Sequence, residues 1–172
     1  MSLPTAALAV ALSAALAATQ QSGELIERTL AIVGGQAITL SDVRAALALG
    51  LIDEAATGDA VGPATQQLIE RSLVLREVQR YAPAEPAETA IDARVAVLST
   101  RFPTADALRA ALATVAFSEL HLRAWARDDL RIAAYLDQRF AAAGSPERRA
   151  ELVRDWIADI RRRTPVVELA KP

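Results

Sequence analysis

The chain has no cysteine and only one histidine among its 172 residues. The first absence excludes disulfides, iron–sulfur clusters and thiolate zinc sites. The second excludes metal centres built from several imidazoles. Aromatic residues make up only 4% of the chain, and there is a single methionine, which argues against a Met-rich adaptable groove. Neither sign of charge dominates. Nineteen basic residues face 21 acidic ones, for a net charge of −2, so the basic footprint of a nucleic-acid binder is missing. Lysine is nearly absent, with Lys171 the only one and arginine filling the other basic positions; this skew reads as a coding bias rather than as chemistry.

What is present is alanine, at 39 positions, in a chain that is 52% hydrophobic and 23% charged. Alanine is the best helix former and leucine is close behind it. The length suits one domain, and the apolar content supplies one sizeable core. The expected fold is therefore mainly α, in a single domain over residues 24–172.

The N-terminal segment stands apart. Met1 to Gln21 carries no charge, and Leu3 to Ala18 is an apolar run broken only by Pro4, Thr5 and Ser13. A spanning helix needs about 20 apolar residues, so the run is short for one and fits a secretory signal, over about residues 1–20. Ala15-Leu16-Ala17 supplies a small-x-small cleavage pattern, although the start lacks a basic residue. An uncleaved anchor and an ordinary N-terminal helix are the alternatives. The expected location is the periplasm or another exported compartment. No second apolar run is long enough to cross a bilayer.

Local signals divide the remainder into about six helices and a small β element. Arg28 to Val33 is β-prone, Gly34-Gly35 makes a turn and Gln36 to Ile38 returns, which predicts a hairpin. Thr39 with Asp42 resembles a capping box and opens the first helix through Val43, Leu47 and Leu51. Asp53 to Gly62 reads as a loop, and Pro63 suits a helical first turn. The second helix runs to about Tyr81, with Leu68, Ile69, Ser72, Leu75 and Val78 on its expected inner face. Pro83 and Pro86 bracket a break before a third helix from about Ala87 to Arg101, carrying Ile91, Val95 and Leu98, with Phe102 following. Thr104 caps a short fourth helix with Leu108 and Leu112. Ser118 and His121 open the longest helix, to about Phe140, with Leu122, Ala126, Ala133, Leu136 and Phe140 expected inward. Ser145 caps the sixth, Pro146 sits at its first position, and Val153, Trp156, Ile157 and Ile160 form its apolar face to Arg163. Val166 to Leu169 is a short β-prone tail. Strand segments at the two ends of a helical chain leave backbone groups unpaired, so the tail is expected to pair with the hairpin.

The stretch Ala31-Ile32-Val33-Gly34-Gly35-Gln36-Ala37-Ile38-Thr39-Leu40-Ser41-Asp42-Val43 resembles the opening of the SurA family of periplasmic chaperones. Leu68 to Glu77 is similar to that family's second helix, and Trp156 to Leu169 to its C-terminal helix and closing strand. The resemblance spans roughly Glu24 to Leu169. It implies a chaperone core that binds unfolded or extended polypeptides, such as outer-membrane protein precursors, without cofactors. Isomerase members carry a parvulin domain between the long helix and the last one. Here only Ala141 to Gly144 fills that gap, and an added domain needs at least about 50 residues, so the resemblance implies a non-catalytic chain. A small helical module with one dedicated partner and a prolyl isomerase are the alternatives. Self-pairing as a homodimer through the first helix or the terminal strand is also open.

Candidate site residues take bland readings. His121 lies in a helical first turn and lacks a nucleophile pattern beside it, so it reads as a surface or capping residue. Asp128-Asp129 point about 100° apart on a helix and are flanked by Arg127 and Arg131, as in a solvated ion network. Arg161-Arg162-Arg163 sits at a helix C-terminus, where cations are favoured; nucleic acid or lipid headgroups are the alternative partners. Trp125 and Trp156 read as core, with a share in a client-binding surface as the alternative. No catalytic, cofactor-binding or metal-binding residue is assigned. A weak, sequence-tolerant groove carries no motif, so no peptide-binding residue is assigned either.

Overall fold

A computed structural model describes residues 27–53, 59–81 and 83–169. The expected signal segment lies outside the described residues, as does the middle of the expected loop at 53–62. The chain forms β1 (Thr29–Val33), β2 (Gln36–Thr39), α1 (Leu40–Ala48), α2 (Val61–Tyr81), α3 (Glu88–Ser99), α4 (Ala105–Thr114), α5 (Glu119–Arg139), α6 (Pro146–Arg163) and β3 (Val166–Glu168). It is mainly α with a small β element.

The sheet joins the two ends of the domain. Its strand order is β2-β1-β3, antiparallel throughout, with Ile32 opposite both Ala37 and Val167. The hairpin turn places Gly34 at φ +54° and Gly35 at φ +90°, a pair of positive values that two-residue hairpins favour and that glycine adopts freely. A side chain at Gly34 would also collide with the Arg76 guanidinium, which donates to the Gly34 carbonyl at 3.1 Å. The tail pairs with the central strand, as expected. Glu168 of β3 is held from two helices, accepting from Gln66 of α2 at 2.8 Å and from Arg161 of α6.

The helix starts follow their local signals. Thr39 Oγ1 accepts from the Asp42 N–H, and the Asp42 carboxylate accepts from the Thr39 N–H at 2.9 Å. Ser118 and His121 close a second such box, while Thr104 and Ser145 cap α4 and α6. The first helix stops at Ala48 rather than reaching Leu51. Gly50 takes φ +60°, and the N–H groups of Gly50 and Leu51 return to the carbonyls of Leu47 and Ala46, which ends the helix while keeping Leu49 buried. The second helix begins at Val61, so Pro63 is its third residue, still within the turn whose N–H groups need no helical acceptor. The third helix ends at Ser99, two residues before the expected Arg101.

Two buried clusters meet at α5. The larger one holds β1, Ile38, Val43, Ile69, Leu73, Val78, Tyr135, Trp156 and Ile160. The smaller one holds Leu49, Ile91, Leu98, Leu112, Leu122 and Ala126. Trp125 packs against both. Two expected faces are corrected. In α2, Leu73 and Val74 are buried, while Ser72 and Leu75 are only half-buried. In α5, Ala133 is exposed and Tyr135 is buried instead. The large ring wins the inner position because it packs against Trp156 with centroids 5.7 Å apart, adding apolar burial that a methyl group cannot match. Glu77 is also buried, where it pairs with Arg80 at 3.2 Å and Arg163 at 3.4 Å and so joins α2 to the end of α6.

Candidate functional site

The half-buried positions that departed from the expected core lead to an open cleft. Leu75 and Ser72 of α2 lie in it. Its floor is Ile38, Ala46 and Leu68, one wall is Gln36 to Ile38, and the opposite wall is Phe117, His121, Ala124, Trp125 and Asp128. Its volume is about 390 Å³, within the lower part of the range of small ligand sites and enough for a few side chains of a longer ligand. The lining is mostly apolar.

The β2 wall has unspent backbone groups. Gly34 N–H donates to Pro165 O at 2.8 Å, and Leu169 N–H donates to Leu30 O at 2.9 Å. Along a strand, successive residues direct their backbone groups to opposite neighbours. Leu30, Ile32 and Gly34 therefore turn to β3, and Ala31 and Val33 turn to β2. Their register partners Ile38 and Gln36 turn inward in reply. That leaves the N–H and C=O of Ala37 on the outer edge of the sheet, which no strand among the described residues covers.

The back of the cleft is rigid. The Arg71 guanidinium lies over the Trp125 ring, 3.8 Å from its centroid, and donates to Asp129 at 2.5 Å and to the Trp125 carbonyl at 3.3 Å. Asp129 also accepts from Arg94 of α3 at 2.7 Å. Cation–π stacking and charge-assisted bonds on one side chain fix its orientation. Trp125 is thus held with one side toward this cleft and another toward a second hollow lined by Leu51, Val74, Leu98 and Ile157.

The residues singled out in the sequence distribute as follows. His121 is exposed at the rim; its Nδ1 accepts from the Ser118 N–H at 3.1 Å, and its ring lies 5.0 Å from that of Phe117. Asp128 and Asp129 separate. Asp129 is drawn into the Arg71–Arg94 clamp rather than into a solvated network with Arg127 and Arg131. Asp128 lies on the cleft with Arg131 at 3.9 Å; burial pushes its carboxyl up from the ordinary aspartate range, against the pull of Arg71, Arg131 and Arg127. Arg161, Arg162 and Arg163 are each matched by a carboxylate, from Glu168, Asp159 and Glu77. Trp156 is core, and Trp125 is a half-buried wall. Sequence reasoning did not assign the cleft. The available signal was the apolar surplus on α2, where Leu73, Val74 and Leu75 run consecutively and cannot all share one helical face.

Among the described residues no three His, Asp or Glu side chains approach closely enough to hold a metal ion. No described helix is long and apolar enough to cross a membrane. Compared with known proteins, the chain matches no family model and no curated relative.

Proposed function

We propose that this chain is a non-catalytic, chaperone-like binder of unfolded or extended polypeptides, acting in the periplasm or another exported compartment on clients such as outer-membrane protein precursors. The observation that carries the reading is the open cleft between β2, α2 and the start of α5, lined by Ile38, Leu68, Leu75, Phe117 and Trp125. A concave, mostly apolar lining with a few polar groups is the usual form of a binding site. A held wall beside an unpaired strand edge suits an extended chain better than a compact ligand. The SurA-like stretches support the same reading, since Ile38 and Asp42 belong to the first of them and Leu68 to Leu75 to the second.

The test is light scattering from a denatured outer-membrane β-barrel protein diluted into buffer, with and without the full chain. Suppressed scattering at near-stoichiometric ratios is expected. Leu75→Asp, which charges the cleft from a half-buried position, is expected to abolish the suppression while retaining helical circular dichroism. Undiminished scattering in the presence of folded chain would reject the reading in favour of a module with one dedicated partner.

A further inference from the structure

Three charged side chains line the cleft: Asp42, Arg71 and Asp128. Two are already engaged. The Asp42 carboxylate accepts from both the Thr39 N–H and its hydroxyl at 2.9 Å. Arg71 is matched by Asp129 at 2.5 Å. Asp128 accepts no hydrogen bond: Arg131 lies at 3.9 Å, beyond hydrogen-bond distance, and Arg71 and Arg127 act on it through charge alone. Its displaced protonation agrees with a carboxylate that has lost water without gaining a full partner. The charged group of the cleft left without a hydrogen bond is therefore a carboxylate, and it faces an apolar floor. On the opposite wall, the N–H and C=O of Ala37 sit on the sheet edge, spaced to pair with one residue of an antiparallel or parallel neighbour.

We infer that the cleft takes its polypeptide as an added strand on β2, with the client's backbone bonded to Ala37 and a Lys or Arg side chain of the client seated against Asp128. This rests on the binder reading above and adds the mode and the sequence preference. A free strand edge recognises extended backbone whatever its side chains, which gives tolerance. The carboxylate adds a bias toward apolar segments that carry a cation. Charge also separates this occupant from a second copy of the domain, because Gln36 to Thr39 of another copy brings no cation to the cleft.

The experiment titrates the full chain with fluorescent ten-residue peptides of alternating Val and Thr, followed by anisotropy. One peptide has a central Arg and its twin has a central Glu. The Arg peptide is expected to bind about three- to fivefold more tightly, the upper range of a partly exposed ion pair. Asp128→Asn should bring the two within about twofold. Methylating single backbone nitrogens of the Arg peptide should weaken binding about fivefold at the one residue that pairs with Ala37 and leave its neighbours unaffected, as for the loss of one ladder bond. Ala37→Pro, which removes an outward N–H from an edge strand where proline is tolerated, should weaken it similarly. The peptide series reads the same contact without altering the protein's fold. Equal binding of the Arg and Glu peptides, or no single methylation-sensitive position, would overturn the inference and leave the binder reading standing. No binding of any peptide to folded chain would overturn both. A dimer that Ala37→Pro dissolves would give the edge to a second copy and overturn the inference.

Discussion

The two clusters that meet at Trp125 are closed in different ways. The larger is enclosed by the sheet, α1, α2 and α6, and several of its members, including Val33, Ile69, Leu73 and Val78, have no exposed surface. The smaller gathers one face of α3, the end of α4 and the first half of α5 over Leu49. Its most buried members are Ala126 and Leu49, and Leu98 is at 9% exposure. Regions with less sealed apolar packing open at lower free energy than the global unfolding. The difference locates rigidity and compliance in the molecule. The floor of the cleft belongs to the first cluster, and its Phe117 wall adjoins the second. One side of the cleft is fixed by the main core, while Phe117 on the other rests on the less sealed cluster.

Breaking the better-sealed side should cost most. Leu73→Ala should lower stability by about 3 kcal/mol, in the range for a buried leucine, and the loss should appear as a cooperative fall in Tm. Leu98→Ala should cost less and should speed hydrogen exchange over 88–114 ahead of α2. Uniform acceleration across the domain would erase the distinction between the two clusters.

Removing residues 164–172 tests the closure of the larger cluster by the sheet. The β1–β3 ladder would go, along with the Glu168 contacts to Gln66 and Arg161. A few hydrogen bonds at about 1 kcal/mol each give an expected loss of about 2–3 kcal/mol in denaturant unfolding. An unchanged midpoint would contradict the closing role of β3.

The two clusters are joined through Asp129, which accepts from Arg71 of α2 and Arg94 of α3. Asp129→Ala should cost about 1–2 kcal/mol, less than a fully buried pair because Arg94 keeps solvent contact. It should also loosen α3 in hydrogen exchange more than α6. Equal effects on the two helices would show that the clamp does not couple the halves.

The smallest effect has the opposite sign. Burial raises the Asp128 pKa, so the folded state holds that proton more tightly than the unfolded one. Its contribution favours folding below the ordinary aspartate range and is lost as pH rises through the raised value. At neutral pH the ionised carboxylate is a cost. Asp128→Asn should therefore leave Tm unchanged or slightly raised at pH 7 and reduce the stabilisation gained on mild acidification. A clear fall in Tm at pH 7 would show that the ionised group has a full partner.

The parts of this fold legible in the sequence are those decided within a few residues. Thr39 with Asp42, Ser118 with His121, and Ser145 before Pro146 mark helix starts whose partners lie one turn away. Gly34-Gly35 marks a hairpin because only positive φ closes it that tightly. The pairing of β3 with β1 was also readable, since two short strands in a helical chain have few other ways to satisfy their backbones. The cleft was not legible. It arises where Leu75 and Phe117, far apart in sequence, face one another across a gap that helical periodicity does not encode. The Arg71–Asp129 clamp spans 58 residues, and neighbouring arginines at 127 and 131 offered a nearer but incorrect partner. Tyr135 displaced Ala133 from the inner face of α5 for a reason that lies in α6, the Trp156 ring.

The most direct measurement places a photo-crosslinking amino acid in turn at position 75, in the cleft, and at position 97, where Val97 is an exposed apolar side chain on α3 outside it. Each labelled chain is irradiated with a denatured outer-membrane β-barrel protein. Client adducts are expected from position 75, competed away by the Arg-bearing peptide, with few from position 97. Adducts as abundant from position 97 as from 75 would contradict the cleft as the site of polypeptide binding.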